Sequence, residues 1–401
     1  MIKRPVLFIA FLLMSCSSPT LPLSGAPSQP TLAIATVEAS FTALPPVTSA
    51  PVALPTFTPL PTFSSTPAPT FTSTPKPPVM INDSNASRVA LLGKIELPEG
   101  RKVVFSPDGK FIGTSSGNQS GFAVKLWQTA DQSLLTSIDR FNGIVWDIAF
   151  SPDNQFIASA ADDPQGQTVR IWGVPDGSLV QNLITPGTAS SVAFSPDGRI
   201  LAIGGLNGWP NGVIWLYDTI SWTPLRELPT PGQNVTALAF SPDGLTLVSG
   251  GTDGNIRFWQ VSNGALLETL YYARQANSIA LSPDGALLAS MFCTSTNAYG
   301  CNKGGLVVWR LSDGSEASDF LSPVVLQQFN DLAESVAFSP DGQLLVSGSG
   351  NNDPNIRLRS VADLTLLKTL NGPAMSVAFS PDGALIASVD FQAIKLYGIS
   401  Q

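Results

Sequence analysis

The chain has 401 residues and a formal net charge of -8, with only 12% of its residues charged and 43% apolar. It contains no histidine, which removes the commonest general base and the commonest metal ligand. No cluster of Lys and Arg offers the positive surface that a nucleic-acid-binding protein needs. The 34 glycines and 34 prolines favour a β-rich, turn-dense fold. We therefore expect an all-β protein with no cofactor, no metal and no nucleic-acid partner.

Residues 1–15 have the composition of an export signal. Lys3 and Arg4 precede an apolar run, residues 6–13, that is too short to span a bilayer. The run ends in Leu13-Met14-Ser15-Cys16, which resembles the lipobox of bacterial lipoproteins. The resemblance implies a lipidated Cys16 and an extracytoplasmic protein anchored to a bacterial membrane. The alternative is an ordinary secretory signal that happens to contain a cysteine, and either reading predicts export.

Residues 16–87 are predicted to form a disordered tether. The segment is rich in Pro, Thr and Ser, and residues 17–80 hold 15 of the 34 prolines. Because proline fixes φ and lacks a backbone donor, this composition predicts a semi-rigid spacer with no sheet or helix. Its Ser and Thr density is compatible with O-glycosylation.

One phrase repeats along the rest of the chain. SVAFSPDG occurs at 191–198, 335–342 and 376–383, and near-copies begin at 103, 148, 238 and 279. The prolines of the seven copies are separated by 45, 44, 46, 41, 57 and 41 residues. A period in the forties that recurs seven times predicts a repeat architecture.

Residues 234–270 show what one repeat builds. The segments NVTALAF, LTLVSGG, IRFWQV and ALLETL alternate apolar and polar residues and are separated by SPDG, TDGN and SNGA, which have turn composition. Four short antiparallel strands in about forty residues are typical of one blade of a β-propeller.

The repeats resemble those of WD-repeat β-propellers over residues 89–401. Their third strands carry Trp127, Trp172, Tyr217, Trp259, Trp309, Arg359 and Tyr397 at the Trp position of that family. The Gly-His pair that family members often carry between blades is missing, so the resemblance implies the fold and no particular partner. A Tol-type periplasmic propeller shares the SPDG turn but usually lacks the Trp of the third strand.

The strand count predicts how the ring closes. The last repeat ends at Gln401 one strand short, whereas ALLGKIEL at 90–97 resembles a fourth strand and precedes the first repeat. We therefore predict a propeller over residues 88–401 with seven four-stranded antiparallel blades, the last completed by an N-terminal strand, which leaves no unpaired edge. A monomer is expected.

No catalytic residue set is recognisable. The aspartates of the seven SPD turns are explained by turn chemistry. The oxygen-rich segments at 161–166 and 350–355 lack the spacing of a calcium loop. We therefore expect a surface-anchored, non-enzymatic module that binds a protein or another macromolecule. The alternative is an extracytoplasmic hydrolase or lyase that uses carboxylates at the channel mouth, with Asp331 and Glu334 as the suspected pair.

Cys293 and Cys301 flank TSTNAYG in what we predict to be the longest connection between strands b and c. In an exported chain this spacing is compatible with a disulfide, and two free thiols are the alternative.

The binding face is predicted from where the repeat varies in length. Insertions at 204–212, 293–305 and 319–334 fall in connections from strand b to c or from d to a, which share one face. Aromatic residues and arginines, the types that anchor interfaces, gather on that face: Trp146, Trp209, Tyr271, Tyr272, Tyr299, Arg140 and Arg274. The alternative is that the loops bury these rings. Trp146 is the first candidate because it lies next to an innermost strand, close to the channel mouth.

Overall fold

The structure is a computed structural model that describes residues 78–400, apart from 119–120, 164–167, 209–210, 233, 272–274, 298–299, 312–327, 330–332 and 351–353. The chain divides into two units, Met1–Thr72 and Ser73–Gln401, and every described residue belongs to the second.

The described chain forms seven four-stranded antiparallel sheets, each made of neighbouring strands a to d in order from the inside outward. Blades 1 to 4 contain β2 (Gly100–Phe105), β3 (Phe111–Asn118), β4 (Gly121–Gln128), β5 (Leu134–Ile138), β6 (Val145–Phe150), β7 (Phe156–Ala161), β8 (Val169–Gly173), β9 (Leu179–Leu183), β10 (Thr188–Phe194), β11 (Ile200–Leu206), β12 (Asn211–Asp218), β13 (Pro224–Pro231), β14 (Val235–Phe240), β15 (Thr246–Gly251), β16 (Asn255–Gln260) and β17 (Leu266–Tyr271). Blades 5 to 7 contain β18 (Gln275–Leu281), β19 (Leu287–Asn297), β20 (Gly300–Arg310), β21 (Gln328–Phe329), β22 (Ala333–Phe338), β23 (Leu344–Ser349), β24 (Asn355–Ser360), β25 (Leu366–Asn371), β26 (Ser376–Phe379), β27 (Leu385–Val389), β28 (Ala393–Ile399) and β1 (Val89–Glu96). The predicted all-β, seven-bladed propeller is confirmed.

Blade 7 is completed by the N-terminal strand. Its order is β1-β28-β27-β26, and β1 pairs antiparallel with β28 from Val89 opposite Ile399 to Glu96 opposite Ala393. The outermost strand of the last blade therefore comes from the start of the domain, as the strand count predicted. This pairing ties the two ends of the ring together by backbone hydrogen bonds.

The SPDG turns are held by their own side chains. In blade 4 the Ser241 hydroxyl donates to Asp243 Oδ1 at 2.6 Å, and the backbone N–H of Leu245 donates to the same oxygen at 2.9 Å. Gly244 has a φ of +72°, where a residue without Cβ is favoured. These hydrogen bonds explain why an aspartate recurs at this position of the turn.

The aromatic residues of strand c lie between blades. Trp172 is fully buried, and its indole N–H donates to the Ser159 hydroxyl at 3.0 Å. Trp259 donates in the same way to Ser249 at 2.9 Å. A buried indole needs such a partner, so these tryptophans belong to the core and are not available to a ligand.

The propeller begins earlier than the sequence predicted. The tether was expected to extend to residue 87, but the side chains of Ile81 and Ala86 are fully buried in a cluster with residues of blades 6 and 7. The Ile81 N–H also donates to the Gly383 carbonyl at 2.9 Å, and a short 3-10 helix at Ala86–Arg88 leads into β1. The first turn of the domain is therefore part of the packed ring, because it covers apolar side chains that would otherwise be exposed.

Two of the predicted insertion loops are strand extensions. In blade 5, β19 and β20 each have eleven residues and remain paired as far as Asn297 opposite Gly300. In blade 3, β11 and β12 pair as far as Leu206 opposite Gly212. The extra residues lengthen hairpins because their alternating pattern continues the antiparallel ladder. Most of the third insertion, 319–334, lies outside the described residues.

Candidate functional site

The seven innermost strands surround a channel whose mouth opens on the face of the b–c and d–a connections. Each first strand places one side chain at the rim of a cavity of about 370 Å³. We call these seven residues the mouth ring: Arg101, Trp146, Ser190, Thr236, Asn277, Glu334 and Met375. They occupy the same position in the seven repeats, which explains why they lie at the same level.

A β-bulge presents the mouth ring in six blades. The register of strands a and b shifts between Val145 and Asp147, which leaves Trp146 as the extra residue. Equivalent register shifts in five other blades leave one residue of strand a without a partner in strand b. These residues are Arg101, Ser190, Thr236, Asn277 and Glu334. Bulges redirect side chains and are common beside binding sites. The repeated bulge therefore places one side chain of each of these six strands at the rim of the mouth cavity.

The next residue of each strand forms a second ring, which we call the wall ring: Lys102, Asp147, Ser191, Ala237, Ser278, Ser335 and Ser376. Three of its serine side chains accept hydrogen bonds from the next blade. The Val336 N–H donates to Ser278 Oγ at 3.3 Å and the Val377 N–H donates to Ser335 Oγ at 3.2 Å. The Val103 N–H donates to Ser376 Oγ at 3.3 Å, which joins blade 7 to blade 1.

Blades 1 and 2 carry an ion pair in the wall ring, where blade 4 carries alanine and the other four blades carry serine. Asp147 Oδ1 lies 3.0 Å from Lys102 Nζ. Asp147 Oδ2 accepts hydrogen bonds from the Ser191 hydroxyl at 2.9 Å and from the Val192 N–H at 3.0 Å. Both oxygens of this buried carboxylate are therefore satisfied, and Asp147 serves to join blades 2 and 3.

Arg101 and Trp146 stack at the mouth. The guanidinium carbon of Arg101 lies 4.9 Å from the ring centroid of Trp146, within the range of a cation–π contact. Trp146 nevertheless remains 42% exposed. Burial lowers the pKa of the Arg101 guanidinium from its ordinary value, and the nearby charge of Glu99 opposes this shift. The pair is a half-buried cation resting on an exposed aromatic ring.

Three of the seven predicted binding residues lie within the described chain. Trp146 belongs to the mouth ring, as its position next to an innermost strand predicted. Tyr271, at the end of β17, is 83% exposed, and Arg140, between β5 and β6, is also exposed. Neither lines the mouth cavity. Trp209, Tyr272, Tyr299 and Arg274 lie outside the described residues, as does Cys16.

The two cysteines of blade 5 lie in strands. Cys293 is 5% exposed in β19, where it is opposite Gly304, and Cys301 is opposite Thr296 in β20. Cys293 takes part in a disulfide. The predicted loop between the two cysteines is therefore mainly an extended hairpin.

Only one residue of the suspected catalytic pair lies within the described part of the chain. Glu334 is in the mouth ring, and Asp331 lies outside the described residues.

Within the described chain no group of three or more Asp, Glu or Cys side chains is arranged to hold a metal ion. Asp163, in the oxygen-rich segment of blade 2, forms a buried salt bridge of 2.5 Å with Arg170. No helix among the described residues has the length and hydropathy needed to cross a membrane.

Arg101 and Lys102 were missed when the site was predicted from sequence. Both residues directly precede the first copy of the repeated phrase, at the start of a strand and not in one of the long connections. The signal that identifies them is the repeat itself, because Arg101 occupies the same place as Trp146 when the copies are superposed.

Comparisons with known proteins agree with this architecture. The WD40 family, described as "WD domain, G-beta repeat", matches residues 133–173, 222–260 and 330–358. The chain is 27% identical over 169 residues to telomerase protein component 1 of Mus musculus, an alignment that covers 42% of this chain and 6% of that protein. The chain thus spans a small fraction of the length of this relative.

A solved structure shows a similar fold. The β-propeller domain of Cps50 (Swd1) from Myceliophteria thermophila superposes with a TM-score of 0.64 and 15% sequence identity, over 78% of this chain and 100% of that domain. At this identity the likeness concerns the fold alone. The chain is therefore similar to WD40 repeats in three segments, and its fold is that of a seven-bladed propeller.

Proposed function

From WD40 repeats arranged in a seven-bladed ring, we propose that this chain is a non-enzymatic binding module whose b–c and d–a face receives a protein or another macromolecule. The observation that carries the proposal is the mouth ring, where six bulges present a different side chain from each blade at the rim of one cavity. Trp146 is the anchor of this face because it is large, exposed and supported by Arg101.

The face opposite the mouth differs from the mouth ring in a way that supports the mouth ring as the binding site. Its SPDG turns are nearly identical from blade to blade and their polar groups are engaged within the turn. A surface that repeats seven times offers few distinguishing contacts, whereas the mouth ring carries a different side chain in every blade. Specific recognition needs such a particular set of groups on a rigid frame.

The test is the substitution Trp146→Ala. We expect it to weaken binding of a partner captured from the native envelope by about 2 kcal/mol or more, as the loss of an interface hot spot does. Thermal unfolding should change little, since the ring is partly exposed to solvent. Tyr271→Ala is a control for general surface effects, because Tyr271 is exposed on the same face but does not line the mouth. Equal capture by the wild type and Trp146→Ala, or early melting of Trp146→Ala, would contradict the proposal.

We also propose that the domain is extracytoplasmic and anchored through a lipid on Cys16. The support is the lipobox resemblance of residues 13–16 after a positively charged, apolar start. Mass spectrometry of the mature protein should find a lipidated N-terminal Cys16, and Cys16→Ser should release the protein from the membrane fraction. A mature chain that retains residues 1–15, or that begins elsewhere without lipid, would contradict the anchor.

Absence of catalysis is part of the same proposal. WD40 propellers are typically non-enzymatic scaffolds, and the carboxylate of Asp147 is engaged by Lys102, Ser191 and Val192. The purified domain should therefore show no turnover with panels of glycan and peptide substrates. Turnover that Glu334→Gln or Asp331→Asn abolishes would support the hydrolase or lyase alternative and overturn this part of the proposal.

A further inference from the structure

The charges of the mouth ring are distributed unevenly. Arg101 on blade 1 is its one cation and Glu334 on blade 6 its one carboxylate, while the other members are neutral. Lys102, one residue further into the channel, is held by Asp147 at 3.0 Å. A ligand that enters the mouth therefore meets positive charge at the side of blades 1 and 2, and this charge belongs to Arg101.

Arg101 has no carboxylate partner among the described residues. Its described polar contact is a long hydrogen bond of 3.5 Å from Nε to the Gly117 carbonyl, which leaves the two terminal nitrogens without a described acceptor. A half-buried guanidinium normally has an anion beside it, because desolvation of a charge is costly. Here Trp146 compensates in part by stacking against the cation.

The surroundings favour an anion with a planar, two-oxygen shape. A guanidinium presents two parallel N–H groups that match a carboxylate, and stacking on an indole holds its plane in one orientation. The same cavity is lined by Gln275 and Asn277, whose amides donate. These groups can bind the polar atoms next to a carboxylate.

We propose that the mouth cavity recognises a carboxylate group of its ligand, which Arg101 binds while Trp146 packs against the adjoining part of that ligand. This inference rests on the proposed binding function and specifies its chemistry. The carboxylate belongs to a peptide, either at its C-terminus or in an acidic side chain, because WD40 propellers generally bind proteins. Recognition of a uronic acid instead is a contrary outcome of the test.

The experiment compares matched acidic and neutral probes on the full domain. The pairs are a short peptide with a free C-terminus and its amide, a capped peptide with one Glu and its Gln counterpart, and galacturonate and galactose. Binding is followed by the NMR shift of the Trp146 indole N–H, assigned by its loss in Trp146→Phe. We expect the acidic member of at least one peptide pair to bind about tenfold more tightly, the effect of one charge-assisted hydrogen-bonded contact. A preference confined to galacturonate would overturn the peptide assignment.

Two substitutions of Arg101 test whether this residue causes the preference for the acidic probe. Arg101→Gln should remove the preference for the acidic probe while binding of the neutral probe persists, and Arg101→Lys should retain only part of it because a lysine lacks the planar fork. Rising salt should weaken only the acidic probe. Melting of each variant is measured first, and the salt dependence of the wild type provides the test if Arg101→Gln does not fold.

The inference is overturned if acidic and neutral probes bind the wild type equally, if no probe binds at millimolar concentration, or if Arg101→Gln keeps the preference. These outcomes differ from failure of the proposed function. An envelope partner that Trp146→Ala loses but that shows no preference for acidic probes would retain the binding face and reject only carboxylate recognition.

Discussion

At the scale of single residues, the wall ring shows that serine and aspartate can make the same hydrogen bond between neighbouring blades. Serine accepts a backbone N–H from the next blade at Ser278, Ser335 and Ser376. Asp147 does the same for Val192 and also binds Lys102. Lysine has no acceptor atom, so the pairing of Lys102 with Asp147 is the way in which blades 1 and 2 are held together at this level.

The substitution Asp147→Ala tests this function. It should leave the Val192 N–H without its acceptor and should lower the free energy of unfolding by about 1–3 kcal/mol, the cost of an unsatisfied buried donor. Asp147→Ser should recover much of that loss, since serine fills the same position on other blades. Chemical denaturation of the wild type and both variants measures the difference. Equal destabilisation by alanine and serine would show that the hydrogen bond to Val192 is not the cause.

Prediction from the sequence was right for side chains whose burial follows from the repeat. It missed Arg101, whose side chain is placed by a β-bulge. Trp172 and Trp259 were assigned to strand c by the repeat, and both are buried in clusters shared with a neighbouring blade. Arg101 was missed because an extra residue in a strand cannot be recognised from alternation alone, and the bulge is what moves its side chain to the rim. Tyr271 is exposed as its position suggests, yet it lies away from the cavity.

At the scale of elements, the closing strand and the segment before it hold the ring together. Strand β1 pairs along its length with β28, and Ile81 and Ala86 fill a core cluster below blades 6 and 7. The closing strand was predictable because the last repeat lacks a fourth strand. The packing of residues 81–86 was not, since a short segment between a proline-rich stretch and a strand has no periodicity to indicate burial.

Truncation separates these contributions. A chain that begins at residue 78 should unfold at nearly the same temperature as the full chain, because all described core residues are retained. A chain that lacks residues 89–97 should lose the edge pairing of β28 and become far less stable and prone to aggregation. Calorimetry of the two forms measures the difference. Similar melting of both would contradict the role of β1.

Within the same fold, Ile81→Ala measures the contribution of the segment that precedes β1. Its side chain is fully buried, so truncation should cost about 2–5 kcal/mol of unfolding free energy. Met80→Ala is the matched control, because Met80 is 43% exposed and should change stability much less. If both variants unfold like the wild type, the segment does not contribute to the core.

The hairpin of β19 and β20 in blade 5 contains both cysteines of the propeller. We propose that the disulfide of Cys293 is formed with Cys301 across the extended β19–β20 pair. On the chain-entropy account, a bridge that closes so short a loop stabilises by about 2–3 kcal/mol. Alkylation of the mature, non-reduced protein followed by peptide mapping should yield one linked peptide containing both cysteines. Two alkylated thiols would show that the bridge is absent.

At the scale of the whole molecule, the SPDG turns form a ring on the face opposite the mouth, which we call the turn ring. Neighbouring turns lie against each other, since a Cβ built on Gly244 would be 3.6 Å from Pro196 Cδ, and one on Gly198 would be 3.6 Å from Pro152 Cδ. The Asp108 N–H donates to Asn154 Oδ1 of the next turn at 3.0 Å. One face thus repeats a single structural unit and the other varies from blade to blade, which leaves recognition to the variable face.

The turn ring makes stability depend on acid pH. Hydrogen bonds from the hydroxyls of Ser195 and Ser241, and then from backbone N–H groups, hold the pKa values of Asp197 and Asp243 below the ordinary value of an aspartate. The hydroxyl of Ser282 does the same for the pKa of Asp284. A carboxyl whose pKa is lower in the folded state stabilises the fold above its unfolded pKa. That contribution is lost as the pH falls through the folded value.

The free energy of unfolding should therefore be steady from neutral pH to about pH 5 and should fall below about pH 4, where aspartates of the unfolded chain begin to bind protons. The triple variant Asp197→Asn, Asp243→Asn and Asp284→Asn should be less stable at neutral pH and should lose less on acidification, because an amide keeps an acceptor but does not titrate. Asp162→Asn, a change at an exposed carboxylate outside these turns, is the control. Urea unfolding at several pH values measures each curve. A triple variant whose stability falls as steeply as that of the wild type would place the acid sensitivity of the propeller in other carboxylates.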